Sequence, residues 1–225
     1  MRDMTGFEGF APETLAFLQN LAANNERAWF QAHKADYEAF VRHPMRCLVA
    51  ALGPAMAAID PALDTDPRGG AVSRIHRDVR FSHDKSPYRV NQWIGFKRPG
   101  EGWQSRPAFF MEFGPDGWRY GMGYYAAMPA TMAAVRAAID VRTAAFLEAM
   151  RNAAGFVTEG AVYRRAVAAQ DRPPEVQDWC RRKTAYMVRQ RPVDAAFFGP
   201  GLVEELREGF AALAPLYWLL VESQA

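Results

Sequence analysis

Cysteine is nearly absent: Cys47 and Cys180 are the only two in 225 residues. One disulfide at most could join them, and such scarcity with no paired spacing gives the expectation of a reducing compartment, the cytoplasm. Residues 1–9 carry acidic residues and glycine where a signal peptide would have a basic and then an apolar stretch. Long hydrophobic runs are also missing. The longest, 47–59 and 209–221, are both interrupted by proline and fall short of the ~18 residues of a membrane span. Known catalytic spacings are absent too: there is no Walker-type loop, Gly-x-Gly-x-x-Gly fingerprint, His-Glu-x-x-His, Cys-x-x-Cys or Gly-x-Ser-x-Gly. The residues therefore assign no enzyme class and imply no cofactor, metal or membrane partner. A net charge of only +2 predicts no particular partner from the whole-chain balance.

What is present is material for a core. Half of the residues are hydrophobic and 13% are aromatic, which excludes global disorder and suits one domain covering residues 1–225. Charge is uneven along the chain. Residues 68–98 hold eight Lys/Arg against two Asp, and residues 164–191 hold eight against three acids, leaving the remainder at −9. Two basic segments in an otherwise acidic chain suit an anion-binding face, or two separate faces whose fields are screened from each other within ~8 Å.

Hydrophobic spacing predicts a helix over 12–23, with Pro12 in its first turn and Leu15, Leu18 and Leu21 on one side. Asn24 and Asn25 offer a cap for a following helix whose aromatic side holds Trp29, Phe30, His33 and Tyr37. A third helix around Pro44 runs to about Ile59, and residues 60–70 form a Pro/Gly-rich loop. Strand patterns occupy 72–81, 89–96, 107–113 and 118–125, the last two joined by the turn sequence Gly114-Pro115-Asp116-Gly117. Gly121 and Gly123 mark close packing against this sheet. Helices return over 130–152, 175–187 and 201–213, with 152–174 the least periodic stretch. Helices, strands and helices again predict an α+β fold: a roughly four-stranded, largely antiparallel sheet flanked by N-terminal and C-terminal helices.

The charged stretch 73–81 holds the candidate site. Strand alternation puts Arg74, His76, Asp78 and Arg80 on one face, and Ile75, Arg77, Val79 and Phe81 on the other. The second face is apolar, so Arg77 needs a partner; Glu112, Asp36 and Glu38 are the candidates. An ordered loop follows, in which Pro87 disfavours helix at Ser86, and Ser82 and Asp84 can form local turns. Lys85 lies near its tip, with Tyr88 and Arg89 beyond.

Three chemistries fit these residue types. Arg74, Arg80, Lys85 and Arg89 suit phosphate or carboxylate, with Asp78 orienting an arginine. His76 or Asp78 could act as a base, with Lys85 stabilising negative charge. A metal at His76 and Asp78 is opposed by the flanking Arg74 and Arg80. The leading expectation is a small anionic, phosphorylated or carboxylated ligand held by Arg74, Arg77, Asp78, Arg80, Asp84, Lys85, Tyr88 and Arg89. One alternative is a nucleic-acid-associated protein whose positive stripe joins Arg89 to Arg182, the basic helix carrying Arg181–Lys183. Trp93, Trp103, Trp118, Tyr120, Tyr124 and Tyr125 among basic residues are the mixture such a reader uses, although strand aromatics more often serve a core. The other alternative is a non-enzymatic protein whose charged motif is a structural network.

The run Arg74-Ile75-His76-Arg77-Asp78-Val79-Arg80-Phe81-Ser82-His83-Asp84-Lys85-Ser86-Pro87-Tyr88-Arg89 resembles an uncharacterised family, domain of unknown function 2461. The likeness extends through Gly6-Phe7, Phe17-Leu18, Asn24-Asn25-Glu26-Arg27-Ala28-Trp29-Phe30, Lys34 and Tyr37 to Arg182-Lys183, Phe197-Phe198 and Pro215-Leu216-Tyr217. It implies membership and carries no activity, substrate or cofactor. The family pattern has an aromatic or aliphatic residue where His76 stands, and position 83 varies. Arg74, Arg77, Asp78, Arg80, Asp84, Lys85 and Tyr88 are the shared set.

Overall fold

A computed structural model describes residues 6–80, 83–164 and 171–224. The chain divides into two compact units. The first takes the described part of Met1–Phe96 with Phe110–Arg119 and Gln190–Arg207; the second takes the described part of Lys97–Phe109, Tyr120–Arg189 and Glu208–Ala225.

In the first unit, α1 (Pro12–Ala23) begins on Pro12 and buries Phe17, Leu18 and Leu21. The fully buried Thr14 joins it to the next turn region, its hydroxyl donating to the Phe40 carbonyl at 2.6 Å. Two short helices, α2 (Arg27–Ala32) and α3 (Lys34–Asp36), lead through a π-helical turn at Tyr37–Arg42 into α4 (His43–Ile59). Pro44 lies in the first turn of α4, where a missing N–H costs little. Phe10, Phe113 and Phe197 pack ring to ring in the same unit, Phe10 and Phe197 stacked at 4.7 Å.

The stretch expected as two strands, 72–81 and 89–96, is a disrupted hairpin with one regular strand, β1 (Gln92–Phe96). Isolated antiparallel bridges join Val72 to Ile94 and His76 to Tyr88. Four steps on one side thus face six on the other, and the surplus is a bulge between Tyr88 and Ile94. The buried Gln92 amide fills it, donating to the carbonyls of Arg89 (2.9 Å) and Asn91 (3.1 Å). That bulge is why no continuous ladder forms.

The sheet continues with β2 (Ala108–Gly114) and β3 (Gly117–Gly123), joined by the expected turn. In the second unit, α5 (Pro129–Val141) and α6 (Thr143–Asn152) replace the single helix expected over 130–152. Arg142 leaves helical geometry between them (φ −120°, ψ 39°), and the Thr143 hydroxyl bonds back to the Ile139 carbonyl at 2.8 Å. The aperiodic stretch contains an unexpected short strand, β4 (Val157–Glu159). It pairs antiparallel with β5 (Tyr186–Arg191), Val157 opposite Val188. The helix expected over 175–187 is therefore shorter: α7 spans Pro174–Cys180. The last helix, α8 (Gly201–Glu222), runs straight through Pro215, well past the expected end at 213. Pro215 is exposed, so water can serve the carbonyl its missing N–H leaves behind.

The five strands form one open antiparallel sheet in the order β1-β2-β3-β5-β4, and the fold is α+β as expected, with one strand more. Glycine at 121 and 209 is a steric necessity: a Cβ at Gly121 would strike the Met187 carbonyl, and one at Gly209 the Tyr120 ring. Among the described residues no helix is long and apolar enough to cross a membrane.

Candidate functional site

All the residues singled out between 74 and 89 lie in the first unit, on the bulged hairpin. Its backbone is anchored at four points. The N–H groups of Ser73, Arg77, Arg89 and Gly95 donate to the carbonyls of Trp93, Pro87, Ile75 and Ala71, at 2.8–2.9 Å. The predicted alternation holds along this stretch. Ser73 and Ile75 are buried, Arg74, His76, Asp78 and Arg80 are exposed, and Arg77 and Val79 are half-buried.

Tyr88 has the opposite role to its charged neighbours. It is only 2% exposed, and its ring stacks on Phe30 at 4.2 Å. In the bridge with His76 its own N–H and carbonyl point away from the partner segment. The side-chain amide of Asn25 meets both: Asn25 Oδ1 accepts from the Tyr88 N–H and Asn25 Nδ2 donates to the Tyr88 carbonyl, each at 3.0 Å. Asn25 was expected to cap a helix. The cap position of α2 is instead Glu26, without a side-chain cap bond. No local pattern signals a bond to a residue 63 positions away.

Arg77 finds its carboxylate within its own loop. Two of the expected partners are engaged elsewhere: Glu112 binds Arg119 (2.6 Å) and Glu38 binds Arg42 (2.8 Å). Arg77 instead pairs with Asp84 and donates to the Ser86 hydroxyl at 3.2 Å. Asp84 lies only seven residues after Arg77, closer along the chain than Glu112, Asp36 or Glu38. Asp84 also accepts from the Ser86 N–H (2.9 Å) and hydroxyl (2.6 Å). Chiefly these Ser86 bonds, and then Arg77, hold its carboxyl down at about 2.

Asp78 and Arg80 form a second pair, a two-pronged contact at 3.0 and 2.7 Å. The Asp78 carboxyl is held down at about 2, mainly by Arg80, with a smaller pull from Arg89. Lys85 donates to the Val79 carbonyl at 2.9 Å. Arg89 lies over the Trp93 ring, 4.7 Å from its centroid, and its Nε reaches the His76 carbonyl at 3.4 Å. Arg74 is exposed and makes no hydrogen bond or ion pair among the described residues. The hairpin thus sorts the expected residues: Tyr88 goes inward, Arg77, Asp84 and Ser86 bond to one another, Arg74, Asp78, Arg80 and Lys85 are exposed, and Arg89 is half-buried. Trp93, weighed beforehand only as one of the strand aromatics, joins them as the ring under Arg89. The four-residue spacing from Arg89, on one side of an extended segment, is the signal that would have found it.

The second basic segment has a different character. Arg181–Lys183 follow α7 and are not part of it. Arg182 is only 8% exposed. Its guanidinium binds Asp178 (2.9 Å) and the carbonyls of Gly160 (2.9 Å) and Thr158 (2.7 Å). The Arg182 guanidinium is thus spent within its own unit. Of the aromatics weighed as a stacking surface, Trp118, Tyr120 and Tyr124 are core residues, whereas Trp93 and Trp103 are half-buried and Tyr125 is exposed.

Among curated proteins, none is a detectable relative of the chain. A family model described as a conserved hypothetical protein, DUF2461, matches residues 13–218, nearly the whole chain and all of the hairpin. The chain belongs to the DUF2461 family.

Proposed function

We propose that the exposed face of the bulged hairpin binds a small anionic ligand, phosphorylated or carboxylated. The observation that carries this reading is an uncompensated cation. Residues 74–89 hold five Lys/Arg against two Asp, and both acids are engaged, Asp84 by Arg77 and Asp78 by Arg80. Arg74 is left exposed without a partner among the described residues. Arg89 adds a guanidinium held by an indole ring, a contact that leaves its charge uncancelled. A carboxylate or phosphate arriving at this face meets N–H donors, and the two exposed acids of the segment, Asp78 and Asp84, are already held by Arg80 and Arg77. No reaction is assigned to it.

The test is isothermal titration of the purified protein with inorganic phosphate, pyrophosphate, citrate and a nucleoside monophosphate. Binding of at least one, weakened about tenfold in both Arg74→Ala and Arg89→Ala with unchanged melting temperature, supports the reading. No heat with any of the four, or binding indifferent to both variants, defeats it.

A structural reading is favoured by the Arg77–Asp84–Ser86 closure, in which one guanidinium nitrogen of Arg77, both carboxylate oxygens of Asp84 and the Ser86 hydroxyl are engaged within the loop. Under it, Arg77→Ala lowers the melting temperature and Lys85→Ala does not, and neither changes ligand capture.

A further inference from the structure

A second surface, in the second unit, joins flat rings to positive charge. Trp103 and Tyr125 are stacked with centroids 5.8 Å apart and planes 24° apart. The Lys97 ammonium sits 3.8 Å from the Trp103 ring centroid. Tyr125 is 77% exposed and Met128 63%, unusual values for such large side chains. The residues 97–106 carry Lys97, Arg98 and Arg106 against Glu101, a local excess of two positive charges.

The platform is rigidly mounted. Tyr124, next to Tyr125, is 1% exposed, and its phenol oxygen accepts from Gln224 at 2.8 Å. Its N–H donates to the Ala185 carbonyl at 3.0 Å. On the other side the Ala126 N–H donates to the Gln104 carbonyl (3.1 Å), and Ser105 Oγ accepts from the Met128 N–H (3.0 Å). Two loops are thereby tied to each other on either side of the stacked rings. Arg106 donates to the Pro99 carbonyl at 3.2 Å, closing the loop that carries Lys97. A tyrosine kept in water by a buried neighbour and a cross-loop ladder loses little freedom when a second ring covers it.

We infer that this platform stacks a base of single-stranded nucleic acid on Tyr125, with Lys97 and its basic neighbours meeting the adjoining phosphates. Two independent features choose that partner. An exposed ring mounted on another ring extends naturally by one more flat π-face, which every nucleobase offers. The surrounding charge is of the sign that a phosphate backbone requires, and a duplex keeps its base faces stacked inside and unavailable. An anionic membrane shares the charge preference, but its insertion calls for apolar tips that enter the acyl region, whereas here the tryptophan is covered by a tyrosine and a lysine. The inference is independent of the hairpin reading, since it uses none of the same residues.

The test is fluorescence anisotropy of labelled oligothymidylate and oligouridylate with the full chain. Binding at low salt that weakens steeply as salt rises is expected. Tyr125→Ala should weaken it about tenfold, and Tyr125→Phe, which keeps the ring, should restore it. Lys97→Ala should lower the salt slope by about one. Arg74→Ala, a hairpin variant, should leave it unchanged. The inference is overturned by undetectable binding at low salt, by equal affinity in Tyr125→Ala, by duplex DNA binding as tightly as the single strand, or by phosphatidylglycerol vesicles that compete for the same protein. A free mononucleotide binding as tightly as the oligomer would also sink it.

Discussion

Arg89 and Arg182 sit in the two most basic stretches of the chain, yet the stretches treat their cations oppositely. In the hairpin, guanidinium groups lie at or near water: Arg77 and Arg80 each pair with one carboxylate, Arg89 lies over a ring, and Arg74 has no partner among the described residues. After α7, the Arg182 guanidinium is enclosed and meets a carboxylate and two backbone carbonyls at once. Equal charge density in sequence thus conceals two physical uses. A buried guanidinium with all its donors engaged fixes backbone, because removing it strands several acceptors together. An exposed one contributes little to folding and keeps its charge available to a ligand.

The contrast breaks most visibly at Arg182. Arg182→Ala should cost about 3 kcal/mol in chemical denaturation, since it leaves the Thr158 and Gly160 carbonyls without their donor and Asp178 with Arg181 alone. A loss as small as that of an exposed arginine would erase the distinction between the two regions. Next in size is Asn25→Ala, expected to cost about 1–3 kcal/mol by leaving both polar groups of the buried Tyr88 backbone unmet. Asn25→Asp should fall in the same range, because a carboxylate accepts from the N–H but cannot donate to the carbonyl.

Smaller effects on stability sharpen the other side. Arg74→Ala and Arg89→Ala should each change the unfolding free energy by less than about 0.5 kcal/mol, while anion affinity drops about tenfold. The smallest effect is a titration. Asp84 is held below its ordinary value in the fold, so its contribution is complete above about 3.8 and disappears as pH falls through about 2. Carbon-detected NMR of the side-chain carboxyl should give a midpoint near 2 in the natural sequence. Ser86→Ala should raise that midpoint more than Arg77→Ala does, because the Ser86 bonds are the larger cause.

How much of this was legible beforehand depended on how local the determinant was. Helix α1 was readable to the residue because Pro12 and the leucine spacing are local. The alternation from Ser73 to Arg80 was readable because a period of two survives even where the ladder fails. The bulge was not, since it depends on which residue of 88–94 faces which residue of 72–76. The start of strand β5 fell within the end of an expected helix because its partners are β3 on one side and, on the other, Val157–Glu159, a segment with no strand pattern of its own. Helix α8 outran Pro215 because solvent exposure, invisible in sequence, makes an interior proline tolerable. Within the candidate site, residue types and faces were readable, but pairings were not. Arg77 pairs with Asp84, seven residues away, instead of the three acids expected, and Asn25 was claimed by a backbone far along the chain.

That amide at position 25 has a consequence for how molecules of this protein meet one another. Beside Tyr88 the extended segment would present one donor and one acceptor to its surroundings, the template by which a sheet margin recruits a foreign strand. A carboxamide from a helical turn imitates that missing neighbour and occupies the template. The margin is thereby closed at Tyr88 without another strand, and losing the amide would open that spot to self-association as well as loosening the fold.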